Sequence, residues 1–152
     1  MAKKKSKQLQ RVYLCATEWI GILRNEPGCG MTQQIIDEHD SYEIFGSELL
    51  RIEVLDTGGQ ELLDEAVRVW VPMTRRVAVR ARAMRLELAG KPGGSGKHTP
   101  DVIHVASALE AGVAAFVSTD TTCRGVAERF GLAAYDRPEY PAGQLSLTTA
   151  SG

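Results

Sequence analysis

Two short, β-prone apolar runs stand far apart in the chain and constrain its fold more than any other feature. Residues 12–15 (Val-Tyr-Leu-Cys) form one run, and residues 114–118 (Ala-Ala-Phe-Val-Ser) form the other. Each is long enough for a strand that is buried on both faces and too short for a helix. Segments with helical spacing of apolar residues separate the two runs, so the pattern predicts an α/β fold with a parallel sheet.

The rest of the chain predicts one domain with two tails. Its 152 residues suit a single compact domain, placed at 12–137, with a basic disordered tail at 1–11 and a C-terminal tail at 138–152. Further strands are predicted at 42–45 and 132–135. Helices are predicted after Thr17, over 32–39, from Ser47 through Leu55, over 62–69, after Thr74, from Thr99 to Gly112 and over 123–130.

Polar residues at the predicted strand ends mark a candidate site, because ligands of open parallel sheets bind outside the carboxyl ends of the strands. Cys15 ends the first strand, and Asp120 follows the late apolar run. Asp101 falls in the first turn of a helix, where free backbone N–H groups favour a carboxylate. Glu53 is a further candidate because its neighbours are apolar, although an exposed position at the edge of its helix explains it equally well.

The net charge of −1 conceals an acidic and a basic block. Residues 12–67 carry twelve acids and two bases, whereas residues 68–97 carry eight bases and one acid. Separated blocks suit a protein that brings carboxylates and a polyanion together, and they also suit solvated helix faces. The candidate RNA contacts, weighed against a role in solubility alone, are Arg75, Arg76, Arg80, Arg82 and Arg85.

Several function classes are excluded by the sequence. Three cysteines without a Cys-x-x-Cys pair indicate neither a disulfide framework nor a zinc knuckle. No apolar run is long enough to span a membrane and no signal-peptide pattern is present, so we expect a cytoplasmic protein. The glycine-rich segment 90–97 lacks the residues of a phosphate-binding P-loop, and no strand precedes it.

The late part of the chain resembles the C-terminal signature of PIN-domain nucleases. The segment Thr99–Gly112, T-P-D-V-I-H-V-A-S-A-L-E-A-G, and the following Phe116–Asp120, F-V-S-T-D, carry this resemblance. Upstream, Ser47–Leu55 resembles the family's serine-containing helix with its acid, and Arg11–Ile20 resembles its opening strand and helix. The resemblance covers roughly residues 11–137 in the family's order.

The resemblance implies a three-layer α/β/α sandwich with a central parallel sheet. It also implies that Glu53, Asp101 and Asp120 are catalytic acids and bind Mg²⁺ or Mn²⁺ for the cleavage of RNA. Hard divalent ions take oxygen ligands, which suits a cluster of carboxylates. Many bacterial members are VapC-type toxins that an antitoxin inhibits, so the expected partners are an RNA substrate, an antitoxin protein and a second copy of the chain.

One departure from the family pattern is serious. The family's first strand normally ends in an aspartate that bridges to the metal, and this chain has Cys15 there. A thiol is a soft ligand that suits Mg²⁺ poorly. Either Glu18 reaches in as a substitute acid, or the remaining acids support reduced activity, or hydrolysis is lost and Cys15 is a small buried residue. His104 is either a phosphate contact beside Asp101 or a helix residue without catalytic duty.

The leading hypothesis is therefore a divalent-metal-dependent endoribonuclease of the PIN-like type, a toxin of a toxin–antitoxin pair that Cys15 weakens. The alternative is a catalytically degenerate PIN-like module that binds RNA or a partner protein. A third hypothesis, a regulatory protein unrelated to nucleic acid, stays open because the charge pattern fits it as well.

Overall fold

The computed structural model describes residues 9–90 and 99–135. The predicted tail at 138–152, most of the tail at 1–11 and the glycine-rich segment lie outside these residues, so the domain bounds 12–137 stay a prediction. The elements in chain order are β1 (Gln10–Leu14), α1 (Ala16–Leu23), α2 (Gly30–Asp37), a 3₁₀ turn (His39–Ser41), β2 (Tyr42–Ser47), α3 (Leu50–Glu53), α4 (Gly59–Ala66), β3 (Val69–Val71), α5 (Arg75–Ala89), α6 (Thr99–Ala111), β4 (Ala115–Val117), α7 (Thr121–Arg129) and β5 (Ala134–Tyr135).

The five strands form one parallel sheet in the order β3-β2-β1-β4-β5. The two apolar runs of the sequence are neighbours at its centre, with Leu14 of β1 in register with Val117 of β4. Residues 12–15 and 115–118 are buried, as expected for central strands that helices cover on both faces. The predicted parallel α/β sheet is confirmed.

Alternation along β1 divides the interior into two layers. Val12 and Leu14 join the core that α1, α2 and α4 cover, whereas Tyr13 and Cys15 join the core that α5, α6 and α7 cover. Successive side chains of a strand point to opposite faces, so β1 contributes to both cores. The predicted three-layer α/β/α sandwich is confirmed, and Cys15 faces the layer that carries α6 and α7.

Three predicted elements are wrong in detail. The helix predicted over 62–69 ends at Ala66, and Val69–Val71 instead form the edge strand β3 against β2. Apolar residues continue at helical spacing past the end of the helix, and this pattern favours a longer helix. The segment forms a strand instead, because β-branched valines pack well on a pleated sheet. Helix α1 begins at Ala16 rather than after Thr17, and α3 is a single turn that ends at Glu53 rather than at Leu55.

Ser47 does not open a long helix as predicted, because it is the last residue of β2. Its hydroxyl still accepts a hydrogen bond from the backbone N–H of Leu49 at 3.1 Å, in the turn that leads into α3.

No helix within residues 9–90 and 99–135 is long and apolar enough to cross a membrane.

Candidate functional site

The candidate site lies at the carboxyl ends of the two central strands, β1 and β4. Cys15 directly follows β1, and its backbone N–H donates to the carbonyl of Val117 at 3.1 Å. Its Sγ lies 3.7 Å from the Sγ of Cys123, in the first turn of α7, and both cysteines are buried and free. A thiol pair therefore occupies the position where the PIN resemblance implies an acid.

The two thiols differ in acidity. The hydrogen bond from the Cys123 thiol lowers the pKa of Cys15 from 9.0 to about 7, burial opposes this change, and nearby His104 lowers the pKa further. Donation to Cys15 raises the pKa of Cys123, with further increases from burial and from the carboxylates of Asp101 and Asp120. Cys15 is thus the more acidic thiol of the pair, and Cys123 keeps its proton when Cys15 ionises.

A buried hydrogen-bond chain runs beside the thiols. The backbone N–H of Ser47 donates to the Tyr13 hydroxyl at 3.1 Å, and the Tyr13 oxygen lies 2.5 Å from Nδ1 of His104. Nε2 of His104 lies 2.5 Å from Oε1 of Glu53. The Tyr13 oxygen accepts from the backbone N–H of Ser47. When the imidazole is neutral with its proton on Nε2, Nδ1 accepts from the Tyr13 O–H and Nε2–H donates to the carboxylate.

These hydrogen bonds favour the second of the two alternatives for His104, a helix residue rather than a phosphate contact. His104 is 1% exposed, and both of its ring nitrogens have protein partners. Burial lowers its pKa, but charge on Cys15 and the hydrogen bond to Glu53 raise it more, so the pKa is above the usual 6.5. Helical spacing placed His104 at the edge of α6, but the neighbouring Ala108, on the same edge, is buried too. Helical spacing could not reveal the burial of His104, because its two hydrogen-bond partners lie 51 and 91 residues away in the sequence.

The three predicted acids lie at this end of the sheet with different surroundings, and all three are partly exposed. Asp120 caps α7, with Oδ1 accepting from the backbone N–H of Thr122 at 2.9 Å and of Cys123 at 3.3 Å. Asp101 lies in the first turn of α6, as predicted. Glu53 ends α3 and holds His104.

Glu18, the predicted substitute acid, is wholly buried. Its carboxylate accepts hydrogen bonds from the hydroxyl of Thr32 and from the backbone N–H of Thr119, the latter at 2.5 Å. Because Thr119 directly precedes Asp120, Glu18 lies at the same end of the sheet as the predicted acids. Through these hydrogen bonds Glu18 connects α1 with α2 and with the segment after β4. Its role as a substitute metal ligand stays a prediction.

The donor set does not fit a Mg²⁺ or Mn²⁺ centre well. Within the described residues, no group of three or more His, Cys, Asp and Glu side chains is arranged to hold a metal ion. The thiol of Cys15 supplies sulfur where a hard cation needs oxygen, and Oε1 of Glu53 is already bonded to His104. The metal-binding role of Glu53, Asp101 and Asp120 therefore stays a prediction.

Four of the five predicted RNA-contacting arginines on α5 fall into two groups, and the fifth, Arg75, is exposed at the start of the helix. Arg76 and Arg80 both contact the carboxylate of Glu110 on α6, at 3.2 Å and 2.9 Å. Arg82 and Arg85 border an apolar groove between α5 and the start of α6. The positive charge of Arg76 and Arg80 is thus partly offset within the fold.

The groove between α5 and α6 has a volume of about 420 Å³. Two of its lining side chains, Met73 and Leu86, are 49% and 58% exposed, although both are large and apolar. Exposed apolar surface of this kind often marks a place where another protein binds.

Comparison with solved structures concerns the fold alone. A chain of the crystal structure of VapBC2 from Rickettsia felis, bound to a DNA fragment from their promoter, superposes with a TM-score of 0.61 at 12% sequence identity, over 83% of this chain and 98% of that chain. The fold is PIN-like.

Other comparisons add no argument to the PIN-like assignment. Leishmania major tyrosyl-tRNA synthetase in complex with tyrosinol aligns at a TM-score of 0.45 and 12% identity, over 99% of this chain and 34% of that chain, which is too weak to bear on the fold. No protein-family model matches the chain, and no curated protein matches it by sequence.

Proposed function

We propose that this chain is a PIN-like module of the toxin–antitoxin type that binds a partner protein and whose hydrolytic centre is degenerate. The observation that carries the proposal is the position of Cys15, which follows β1 and directs its thiol at Cys123. The PIN resemblance implies an aspartate there. Sulfur at this position removes a hard ligand, and its contact with Cys123 closes the space beside it.

The apolar groove between α5 and α6 favours a protein partner. Its exposed apolar residues would be covered by an amphipathic helix, and Arg82 and Arg85 at its border would attract acidic residues beside the apolar face of that helix. The solved structure with the similar fold is VapBC2 bound to a DNA fragment from their promoter, and this supports a protein partner for this chain. A homodimer stays a prediction.

The arginines of α5 favour protein binding over RNA binding. Arg76 and Arg80 are each paired through Nε with Glu110, which is 16% exposed. These ion pairs offset part of the positive charge that would attract phosphate. RNA contact through these two residues would therefore be weaker than their charge alone suggests.

A second candidate function is a Mg²⁺- or Mn²⁺-dependent endoribonuclease of reduced activity. One observation favours it: Asp101 and Asp120 both lie close enough to Cys123 to raise the pKa of its thiol, so these acids, distant in sequence, converge beside the thiol pair. Their partial exposure would leave them accessible to a cation from solvent.

RNA cleavage separates the two candidates. The degenerate module predicts no cleavage that depends on Mg²⁺ or Mn²⁺, and it predicts that Cys15→Asp introduces such cleavage if the other acids are intact. Cleavage by the unmodified chain that chelator and Asp101→Asn both abolish would support the reduced nuclease instead. Circular dichroism of each variant confirms that it folds.

Protein binding is tested at the groove. Leu86→Glu places a carboxylate in the apolar groove and should weaken binding of a co-expressed protein encoded by a neighbouring reading frame by at least tenfold, about 1.4 kcal/mol. Val79→Glu, on α5 but outside this groove, is the matched control because Val79 is 61% exposed. Equal binding by both variants would contradict the groove as the docking surface.

A further inference from the structure

Cys15 and Cys123 are held together by the backbone of two different elements. Cys15 directly precedes α1, and its N–H is bonded to the carbonyl of Val117 in β4. Cys123 lies in the first turn of α7, and its N–H is bonded to the carboxylate of Asp120. Because both backbones are anchored to the carboxyl end of β4, the two thiols face each other although 108 residues separate them.

The distance between the thiols suits a covalent bond. The two sulfurs lie 3.7 Å apart, and a disulfide bond is about 2.05 Å long, so the sulfurs must approach by about 1.6 Å. Shared between the two side chains, this movement is about 0.8 Å for each sulfur. Neither sulfur is already in a disulfide, since both cysteines are free.

We propose that Cys15 and Cys123 are a site of reversible oxidation, at which a hydroperoxide converts the two thiols into an intramolecular disulfide. The inference does not depend on the proposed function, because its test detects the thiols themselves and neither RNA cleavage nor partner binding. In this proposal Cys15, at the end of β1, reacts with another side chain of the protein and does not bind a metal.

The reaction balances in two steps. The Cys15 sulfur attacks one oxygen of hydrogen peroxide, the O–O bond breaks, and Cys15 becomes a sulfenic acid as one water leaves. The Cys123 sulfur then attacks the Cys15 sulfur, the S–O bond breaks, and a second water leaves with the proton of Cys123. The two thiols supply two electrons, and the peroxide accepts them. A small dithiol reverses the reaction by thiol–disulfide exchange.

Exposure sets the order of the two steps. Cys15 is 4% exposed, whereas Cys123 has no exposed surface. Hydrogen peroxide is only slightly larger than water, so we assign the first step to Cys15, the residue with some exposed surface, and the second step to Cys123 beside it. Sulfenic acids beside a second thiol condense with it in this way.

The sequence allows a direct test, because each cysteine falls in a different tryptic peptide. Cys15 lies in residues 12–24, Cys29 in 25–51 and Cys123 in 98–124. After treatment of the folded protein with hydrogen peroxide and alkylation of the remaining thiols, we expect peptides 12–24 and 98–124 to be cross-linked. The free thiols should fall from three to one, and the chain mass should fall by about 2 Da through the loss of two hydrogens.

Two variants provide controls. Cys29→Ser should leave the cross-link unchanged, and Cys123→Ala should abolish it and leave Cys15 as a sulfenic acid that a dimedone-type reagent traps. The main measurement uses the unmodified chain, so its result does not depend on whether either variant folds. The proposal is overturned if the folded chain keeps three free thiols under a treatment that oxidises the thiols of the denatured chain. A cross-link that includes peptide 25–51 would overturn it as well.

Discussion

Removal of the Tyr13 hydroxyl tests the buried hydrogen-bond chain that positions Glu53. Tyr13→Phe keeps the ring and its stacking on Phe116, whose centroid lies 5.3 Å away, so no large cavity forms. It leaves the N–H of Ser47 and Nδ1 of His104 without the partner that they share. Each unsatisfied buried polar group costs about 1–3 kcal/mol, so the free energy of unfolding should fall by about 3 kcal/mol.

Urea unfolding followed by tryptophan fluorescence measures this loss. In a thermal scan it corresponds to a fall in Tm of roughly 6–12 °C for a domain of this size. Tyr42→Phe is the matched control, because Tyr42 is also a buried strand tyrosine and its hydroxyl makes no hydrogen bond to any described residue. If Tyr13→Phe costs no more than Tyr42→Phe, the hydrogen-bond chain does not stabilise the folded protein and the reasoning is refuted.

Three further predictions concern charged groups. Glu18→Ala should lower the free energy of unfolding by about 2–4 kcal/mol, because a buried hydroxyl and a partly buried N–H lose their acceptor. The thiolate absorbance of the folded chain should titrate near pH 7 through Cys15. Since that pKa is below the unfolded value of 9.0, ionisation of Cys15 stabilises the fold fully above pH 9, and the stabilisation is lost as pH falls through about 7. Glu110→Gln should strengthen binding to heparin roughly 2- to 5-fold at low salt, because Arg76 and Arg80 are released.

Each of these predictions has a control. Glu61→Ala, at an exposed position of α4, should change stability by less than about 0.5 kcal/mol, and an equal loss at both positions would contradict the role of Glu18. Cys15→Ser should remove the titration near pH 7, and its persistence would assign the signal to another thiol. Glu87→Gln should leave heparin binding near the level of the unmodified chain, since Glu87 contacts Arg129 rather than the arginines of α5.

The architecture was predictable because the strongest signals were local. The apolar runs that became β1 and β4 specify buried strands, and the helices between them require parallel strands. The edge strand β3 was missed because it has only three residues and follows a helix whose apolar spacing runs on into it. Its formation depends on pairing with β2, which no local pattern reports.

The contacts of the site were less predictable than its position. Strand ends indicated the correct edge of the sheet for Cys15 and Asp120. The contact of Cys15 with Cys123 and the burial of His104 between Tyr13 and Glu53 join segments that are 51–108 residues apart. Such contacts follow from the order of the strands and from the face that each residue occupies, and neither can be read from spacing alone.

Whether Cys15 disables a metal-dependent centre in this PIN-like fold is decided by RNA cleavage, measured side by side for the unmodified chain and for Cys15→Asp with Mg²⁺ or Mn²⁺. We predict no chelator-sensitive cleavage by the unmodified chain and clear cleavage by Cys15→Asp, which Asp101→Asn in the same chain abolishes. Chelator-sensitive cleavage by the unmodified chain at a rate equal to that of Cys15→Asp would contradict the claim.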